Sequence, residues 1–119
     1  MKMAKRIRTL LKQFLASNNR NLWMNGSGLA VYVRKSIRLI EDRMVPCLDI
    51  ANMQAQRPGR GTGGRFIEDA QLLNPYEAIF IECVQNERLA SRLERTGWIK
   101  LQDDQAVTPC FYRWNIPFP

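Results

Sequence analysis

A loop rich in glycine and arginine is the part of this sequence best suited to hold an anionic ligand. Four of the seven glycines fall within residues 59–64, and Arg57, Arg60 and Arg65 add positive charge around them. The loop lies between a segment patterned as a strand and one patterned as a helix. At such a junction the first helical N–H groups are unpaired, and glycines let the backbone approach an oxyanion closely. The pattern therefore predicts a binding site for a diphosphate.

Other interpretations of the glycine loop fit less well. Gly59, Gly61 and Gly64 have the spacing of the dinucleotide fingerprint, but a Rossmann domain needs several parallel strands and the pattern here allows one crossover. The chain contains no Gly-Lys-Ser/Thr, which excludes a P-loop. An arginine–glycine tail that binds RNA would be longer and would not be enclosed by regular structure. A flexible surface turn stays open as an alternative, although one glycine would suffice for it.

The amino-acid composition excludes several catalytic mechanisms. The chain has no histidine, so it has no histidine general base, no Ser/His/Asp or Cys/His triad and no histidine-ligated metal. Its three cysteines, Cys47, Cys83 and Cys110, are far apart in sequence and form no CxxC pair. We therefore expect neither a disulfide framework nor a zinc knuckle, predict no metal site, and expect a cytoplasmic protein.

The elements that position the loop follow from hydrophobic periodicity. Apolar residues at helical spacing predict an amphipathic helix over 4–16, a short helix from Phe66 to Asn74, and another over 86–96. Strand patterns cover 29–40 (one strand or two), 44–53, 78–84, 98–101 and 110–114. Glu41-Asp42 is expected to be a hairpin turn. Pro46 indicates that its end of the second strand is an edge or a bulge.

This element order predicts an α/β fold. One strand–helix–strand crossover implies a parallel pair inside a mixed central β-sheet with antiparallel strands on both sides and helices flanking it. A chain of 119 residues is one domain by size, so we assign residues 1–119 to a single domain. No apolar run approaches the ~20 residues of a membrane span, and no secretory signal pattern is present.

Positive charge is concentrated at the N-terminus. The net charge is +7, and residues 1–20 hold a basic amphipathic helix without any acidic residue. The cations of this segment include Lys2, Lys5, Arg6, Arg8 and Lys12. This helix is either a solvated face or a binding surface for an anionic partner such as nucleic acid. A helix lying on a membrane is the weaker alternative, because the apolar stripe is only three turns long and a small domain needs it for its core.

The glycine loop resembles that of the GNAT superfamily, the acetyl-coenzyme A-dependent N-acetyltransferases. The family signature is Gln/Arg-x-x-Gly-x-Gly/Ala at a strand-to-helix turn, and Gln56, Gly59 and Gly61 match it letter by letter. A register shifted by two residues instead places Gly61 and Gly63 before the apolar pair Phe66-Ile67. We prefer this second register for its helix, although Pro58 then replaces the usual Gln/Arg.

A second block agrees with this resemblance and also departs from it. GNAT proteins often contain Asn-x-Arg-Ala, a helix with a tyrosine, and then Gly-Phe; here Asn86-Glu87-Arg88-Leu89 precedes Gly97-Trp98 by the same spacing. Asn86 would contact the pantetheine arm, or cap the helix, or both. The family alanine is replaced by Leu89, and the tyrosine that commonly protonates the leaving thiolate is replaced by Leu93.

The resemblance implies a minimal acetyltransferase with a GNAT-like fold that uses acetyl-coenzyme A as co-substrate. It implies a strand bulge between Ala51 and Gln54 whose backbone N–H polarises the acetyl carbonyl. The acceptor would be an amine on a macromolecule, with protein as the expected partner. The cofactor-binding residues would be Met53, Gln54, Arg57, Gly59, Arg60, Gly61, Thr62, Gly63, Gly64 and Asn86.

Catalytic candidates come from the neighbouring strands. Asp49 and Glu82 are candidates for the base that deprotonates the amine, and each would alternatively form a structural salt bridge. Tyr112 or Tyr32 would stabilise the leaving thiolate. Cys83 is better interpreted as a small core residue than as a nucleophile. From a different functional class, the chain would be a non-catalytic GNAT-fold module that binds coenzyme A, nucleic acid or a protein.

Overall fold

The computed structural model describes residues 6–57, 59, 61–82, 84, 86–101 and 109–115. These residues form three helices and six strands. In chain order the elements are α1 (Ile7–Ala16), β1 (Asn21–Gly26), β2 (Leu29–Ile40), β3 (Arg43–Ala55), α2 (Thr62–Leu73), β4 (Ala78–Ile81), α3 (Glu87–Arg95), β5 (Ile99–Lys100) and β6 (Phe111–Trp114).

The six strands form one mixed sheet in the order β1-β2-β3-β4-β6-β5. β3 and β4 are parallel and are connected through α2, whereas the other neighbours are antiparallel. This confirms the predicted α/β fold with a single parallel crossover inside a mixed sheet. Because the two strands are parallel, the glycine loop that follows β3 and Glu82, which follows β4, lie at the same edge of the sheet.

All three helices pack on one face of the sheet, which we call the helix face. Each helix contributes buried apolar side chains to the same core, such as Phe14 from α1, Phe66 from α2 and Leu93 from α3. Strand residues alternate between faces, so Leu48 and Ile50 point into this core. No helix in the described part of the chain contains a span long and apolar enough to cross a membrane.

The opposite face, which we call the open face, has a smaller apolar cluster to which no described helix contributes. Its buried members are Ile40, Val45, Cys47, Ala78, Phe80 and Tyr112. Charged side chains share this face. Arg34 on β2 lies opposite Asp49 on β3, and Arg38, which lies opposite Val45, donates to Asp49. The sheet therefore separates an apolar side from a largely polar one.

The ends of β2 and β3 behave as the sequence indicates. Glu41 and Asp42 both have positive φ, 50° and 67°, as a two-residue hairpin turn requires. Residues 43–46 pair only with β2, because pairing with β4 begins at Cys47. Pro46 thus lies at an edge, where its missing N–H removes no bond to β4.

Three features of the fold differ from the sequence predictions. β1 was not predicted, because its short run is rich in turn-forming residues; it forms by pairing with β2 over Asn21–Gly26. α2 begins at Thr62, earlier than expected, so Gly63 and Gly64 are helical. α1 begins at Ile7 rather than at residue 4, because Arg6 is extended, and it ends at the extended residue Ser17, whose hydroxyl donates to the carbonyl of Phe14 at 2.7 Å.

Candidate functional site

A β-bulge interrupts β3 just before the glycine loop. Tyr32 is opposite Asn52 and Val33 is opposite Ile50, so Ala51 has no partner residue on β2. An extra residue of this kind bends the strand and turns its peptide groups out of the ladder. The bulge lies in the segment 51–54, where the resemblance implies a backbone N–H directed at an acyl oxygen.

β3 and β4 diverge immediately after the bulge begins. The last bond between them runs from the N–H of Glu82 to the carbonyl of Ile50 at 3.0 Å, after which Val84 donates instead to Pro109 at 2.8 Å. The divergence opens a cleft of about 390 Å³. Its lining residues are Ile50, Ala51, Asn52, Met53, Gln54, Ile81, Glu82, Val84, Asn86 and Leu89.

A second cavity, of about 330 Å³, continues the cleft along the glycine loop. The two cavities share Met53, Asn86 and Leu89. Gly61 precedes the first residue of α2 with a φ of 74°, and no side chain caps this helix end. The first N–H groups of α2 therefore face the cavity without a side-chain acceptor and suit an oxyanion.

The absence of side chains at Gly63 and Gly64 brings other groups close to this helix end. A Cβ at Gly63 would lie 3.0 Å from the methyl carbon of Met53, and one at Gly64 would collide with the guanidinium of Arg92. Arg92 also donates to Glu68 at 3.0 Å. An arginine from α3 thus lies beside the first turn of α2 and lines the loop cavity.

Arg92 was not among the residues predicted from the sequence. Its only signal was its place on α3, one turn beyond Arg88 on the helix that Asn86 begins. The carbonyl oxygen of the Asn86 side chain accepts from the N–H groups of Arg88 at 2.9 Å and Leu89 at 3.1 Å. Asn86 is therefore a helix N-cap, and because it also lines both cavities, it is placed to contact a ligand.

The two predicted carboxylates lie together in one network of charges. Arg38 donates to Asp49 at 2.5 Å and pairs with Glu82 at 2.7 Å, and Arg34 pairs with both carboxylates. The Asp49 side chain is 0% exposed, whereas that of Glu82 is 22% exposed and lines the cleft. Both carboxylates thus form the salt bridges considered as the alternative, and Glu82 is also accessible from the cleft.

The two carboxylates differ in acidity. Burial, together with a hydrogen bond to Glu82, raises the pKa of Asp49 to about 6. Burial also acts to raise the pKa of Glu82, but hydrogen bonds with Asp49 and Arg34 outweigh it and lower that pKa. The network therefore takes up its first proton near pH 6, as a coupled pair.

The structure separates the two tyrosine candidates. The hydroxyl of Tyr112 donates to Glu41 of the β2–β3 turn at 3.1 Å, as does the indole N–H of Trp114. This bond turns Tyr112 toward that turn, and Tyr112 is absent from the described residues that line the cleft. Tyr32 is opposite Asn52, beside the bulge, with its ring centroid 5.2 Å from that of Trp23.

The remaining predicted residues divide between the cleft and other places. Met53 and Gln54 line the cleft, and Gly59, Gly61, Thr62, Gly63 and Gly64 line the loop cavity. Arg57 is exposed and lines neither of these cavities. Leu93 is 2% exposed in the core, so the helix-face position of the family tyrosine is apolar here. Arg60 and Cys83 lie outside the described residues.

Solved structures share this architecture. A tyrosine-to-phenylalanine mutant of the AtaT toxin, bound to the C-terminus of the antitoxin AtaR and to acetyl-CoA, aligns with a TM-score of 0.56 at 16% identity. The alignment covers 73% of this chain but 58% of the AtaT chain, so the chain spans less than two thirds of that protein. The KacTA–DNA complex aligns with a TM-score of 0.58 at 13% identity, over 90% of this chain and 80% of that one.

These neighbours are GNAT proteins, and the chain therefore has a GNAT-like fold, as the glycine loop predicted. The sequence matches no protein-family profile and no curated protein.

Proposed function

We propose that this chain is an acetyl-coenzyme A-dependent N-acetyltransferase. The observation that carries the proposal is the bulge at Ala51, which lies at the point where β3 and β4 diverge and where the cleft continues into the glycine loop. One continuous path thus joins a backbone N–H suited to an acyl oxygen with a helix end suited to a diphosphate. The acetyl-CoA-bound AtaT structure, which has the same fold, supports this assignment.

Coenzyme binding would use the helix end and the cleft together. The diphosphate would accept from the first N–H groups of α2 after Gly61, where the helix dipole is positive. Arg92 adds a guanidinium against Gly64. The pantetheine arm would then follow the cleft past Met53 and Asn86, which line both cavities. This arrangement brings the thioester to the bulge.

Acetyl transfer would then be direct. The amine nitrogen attacks the thioester carbonyl carbon, the carbon–sulfur bond breaks, and the coenzyme leaves as the thiol after taking up the proton that the amine loses. A backbone N–H near Ala51 would stabilise the oxyanion, which is typically a large part of the catalysis of acyl transfer. Holding the amine and the thioester together in one complex would lower the activation barrier further, because the reaction then needs no bimolecular encounter.

Glu82 is the better of the two candidates for the base. It lines the cleft and stays ionised because its pKa is lowered, whereas Asp49 is fully buried. We assign Asp49 the role of holding Arg34 and Arg38, which in turn orient Glu82. Tyr32 lies beside the bulge, but neither Tyr32 nor Tyr112 is among the described residues that line the cleft, so we assign neither of them to the leaving thiol.

Calorimetry with acetyl-coenzyme A tests the proposal directly. We expect binding to the wild-type chain and thiol release when an amine is added. An absence of heat and of thermal stabilisation at millimolar coenzyme would refute the assignment. Arg43→Gln is a matched control, because Arg43 pairs with Glu77 at 3.3 Å and lines neither cavity.

A non-catalytic coenzyme-binding module is the second candidate. Leu93 favours it, because an apolar residue stands where the family commonly has the acid that protonates the thiolate. The enzyme and the non-catalytic module would both bind acetyl-coenzyme A in the calorimeter, but only the enzyme would release thiol when an amine is added. Coenzyme binding with no turnover for any amine would establish the module and exclude the enzyme.

A further inference from the structure

The second half of β2 has an edge with which no described strand pairs. β1 lies beside β2 over residues 29–34, and the N–H of Lys35 adds one bond on that side, to the carbonyl of Arg20 at 2.8 Å. Over residues 36–40, β3 is the only described strand that neighbours β2. An unpaired edge of this kind offers its N–H and C=O groups to another strand.

The backbone groups that point out of this edge belong to Ile37 and Leu39. Successive residues of a strand direct their N–H and C=O groups to opposite sides, and the N–H of Lys35 points toward β1. Those of Ile37 and Leu39 therefore point the same way. The residue opposite Ile37 on β3 is Pro46, which has no N–H to donate to it. The N–H and C=O groups of Ile37 and Leu39 are thus available to a further strand.

A row of exposed apolar side chains accompanies the unpaired edge. Ile37 and Leu39 are 63% and 66% exposed, and Met44, which lies opposite Leu39, is 62% exposed. Alternate residues of a strand share one face, so Ile37 and Leu39 lie on the helix face with Val33, but the helices leave them uncovered. Contiguous exposed apolar surface marks an interaction site, whereas single exposed apolar residues do not.

The two ends of this edge carry opposite charges. A groove of about 600 Å³ follows β2 over residues 34–39, and Arg20 lines it at the end near β1. At the other end, the hairpin turn carries Asp42. Both Arg20 and Asp42 are exposed, and neither forms an ion pair within the described part of the chain. The edge is therefore positive near β1 and negative at the turn.

We propose that a second copy of this chain pairs with this edge, so that the two β2 strands run antiparallel about a twofold axis at Arg38. This register places Ile37 opposite the partner's Leu39, and symmetry repeats the pair, so that all the free backbone groups of both residues are bonded. The exposed apolar row then continues across the interface. The same register brings Arg20 beside the turn that carries the partner's Asp42, and symmetry repeats this contact as well.

A second copy suits this edge because the edge is complementary to itself. An antiparallel pair joins each end of one edge to the opposite end of the other, so positive and negative ends meet twice. The apolar row of one chain meets the apolar row of the other on the same face of the joined sheet. Arg38 would face its own copy, but Asp49 and Glu82 already pair with its guanidinium, so the opposition of two like charges costs little.

Sedimentation velocity over a range of concentrations tests the proposal. We expect the wild-type chain to be dimeric at micromolar concentration and to dissociate on dilution. Ile37→Lys with Leu39→Lys should weaken association by about 100-fold or more, because it sets like charges against each other in the apolar row. Leu72→Lys is the matched control. Leu72 is 75% exposed on α2, so this variant should associate as the wild type does.

The charged ends and the register are tested separately. Arg20→Gln and Asp42→Asn should each weaken association about two- to tenfold, and the double variant no more than either, because they remove the same ion pairs. A mixture of Ile37→Cys and Leu39→Cys chains should form disulfide-linked dimers under mild oxidation, since opposite residues lie within disulfide reach. Each variant alone should cross-link poorly, because its own copy then lies two residues along the partner strand. Oxidised wild-type chain gives the background from the native cysteines.

Three results would overturn the proposal. They are a monomer at every concentration, which would leave the apolar row to another occupant, a dimer that Ile37→Lys with Leu39→Lys does not weaken, and cross-linking that is as efficient in either cysteine variant alone as in the mixture. All the substituted side chains are exposed, so the variants should keep the thermal midpoint of the wild type. If the double lysine variant does not fold, the cross-linking result decides. None of these residues lines the cleft or the loop cavity, so the outcome is independent of the proposed acetyltransferase function.

Discussion

The two faces of the sheet differ in the polarity of the side chains that they bury. On the helix face, apolar side chains from α1, α2 and α3 pack with Leu48 and Ile50 in one buried apolar core. On the open face, Arg34, Arg38 and Asp49 share partly buried space with partners missing for some of their atoms. The larger apolar core therefore lies on the helix face, whereas the open face combines a smaller apolar cluster with charged side chains.

The largest expected effect is on the rate of acetyl transfer when Glu82, on the open-face side of the cleft, is replaced. Glu82→Gln should lower the rate of acetyl transfer by about 10²–10⁴-fold, the usual contribution of general acid–base catalysis. Coenzyme affinity should change little, because Glu82 does not line the cavity along the glycine loop. Thiol-release kinetics and calorimetry on the same sample give both quantities. A variant with full activity at low pH, where the amine most needs a base, would exclude Glu82 from that role.

The same network predicts a pH dependence. Because the pKa of Asp49 is raised to about 6, the carboxylate pair takes up a proton as the pH falls through that value. We expect kcat/KM to decline as the pH falls below about 6. Asp49→Asn should shift the decline to lower pH, since the pKa of Glu82 is lowered. A profile that is identical in Asp49→Asn and the wild type would contradict this interpretation.

On the helix face the expected effect is on stability. Phe14 is 1% exposed, and Phe14→Ala should lower the free energy of unfolding by about 3–5 kcal/mol by leaving a cavity. Arg8→Gln is the control on the same helix, because Arg8 is half-exposed and pairs with Asp69 at 3.5 Å. The free energies of unfolding of the two variants, measured by urea denaturation, should differ by about 3–5 kcal/mol. Similar losses in both would show that α1 is held by its charges.

A smaller effect, on coenzyme affinity, is expected at the first turn of α2, where we propose that the coenzyme binds. Gly63→Ala should weaken acetyl-coenzyme A binding by about tenfold, because its Cβ would press on Met53, which lines both cavities. Met53→Ala in the same chain should restore part of the affinity. The midpoint of thermal unfolding without coenzyme checks that the fold is intact. Unchanged affinity in Gly63→Ala would remove the first turn of α2 from the site.

The smallest effect concerns the basic surface of α1. Arg6→Gln with Arg8→Gln should change stability by no more than about 0.5–1 kcal/mol, as expected of exposed charges. If the helix holds nucleic acid, the variant should bind it more weakly and with a smaller dependence on salt. A salt titration measures this. Absence of binding by the wild type at low salt would identify the charges as a solvated face.

Local patterns carried most of the fold prediction. The hairpin turn at Glu41-Asp42, the N-cap at Asn86 and the helical stripe of α1 each depend on residues close in sequence, whose conformational preferences act before tertiary contacts form. β1 was missed for the opposite reason. Its residues have little strand preference, and it forms because β2 offers an unpaired edge.

The candidate site was predicted unevenly. The glycine loop could be proposed from sequence because a phosphate-binding helix end needs glycine and a strand boundary, and both are visible there. The bulge segment was implied by the family resemblance. The binding roles of both stay predictions. The placements of Tyr112 and Arg92 depend on contacts that the sequence pattern does not show. Which way the Tyr112 hydroxyl turns depends on Glu41, 71 residues away. The position of Arg92 against Gly64 depends on how α3 packs beside α2.

The sequence by itself determined the periodicities, the glycine loop, the lack of histidine chemistry and the presence of two carboxylates on adjacent strands. Only the tertiary structure decided that these carboxylates share two arginines and that one of them is fully buried while the other lines the cleft. The physical reason is that charge and burial depend on partners distant in sequence. Asp49, Arg34 and Glu82 acquire their properties only when β2, β3 and β4 align.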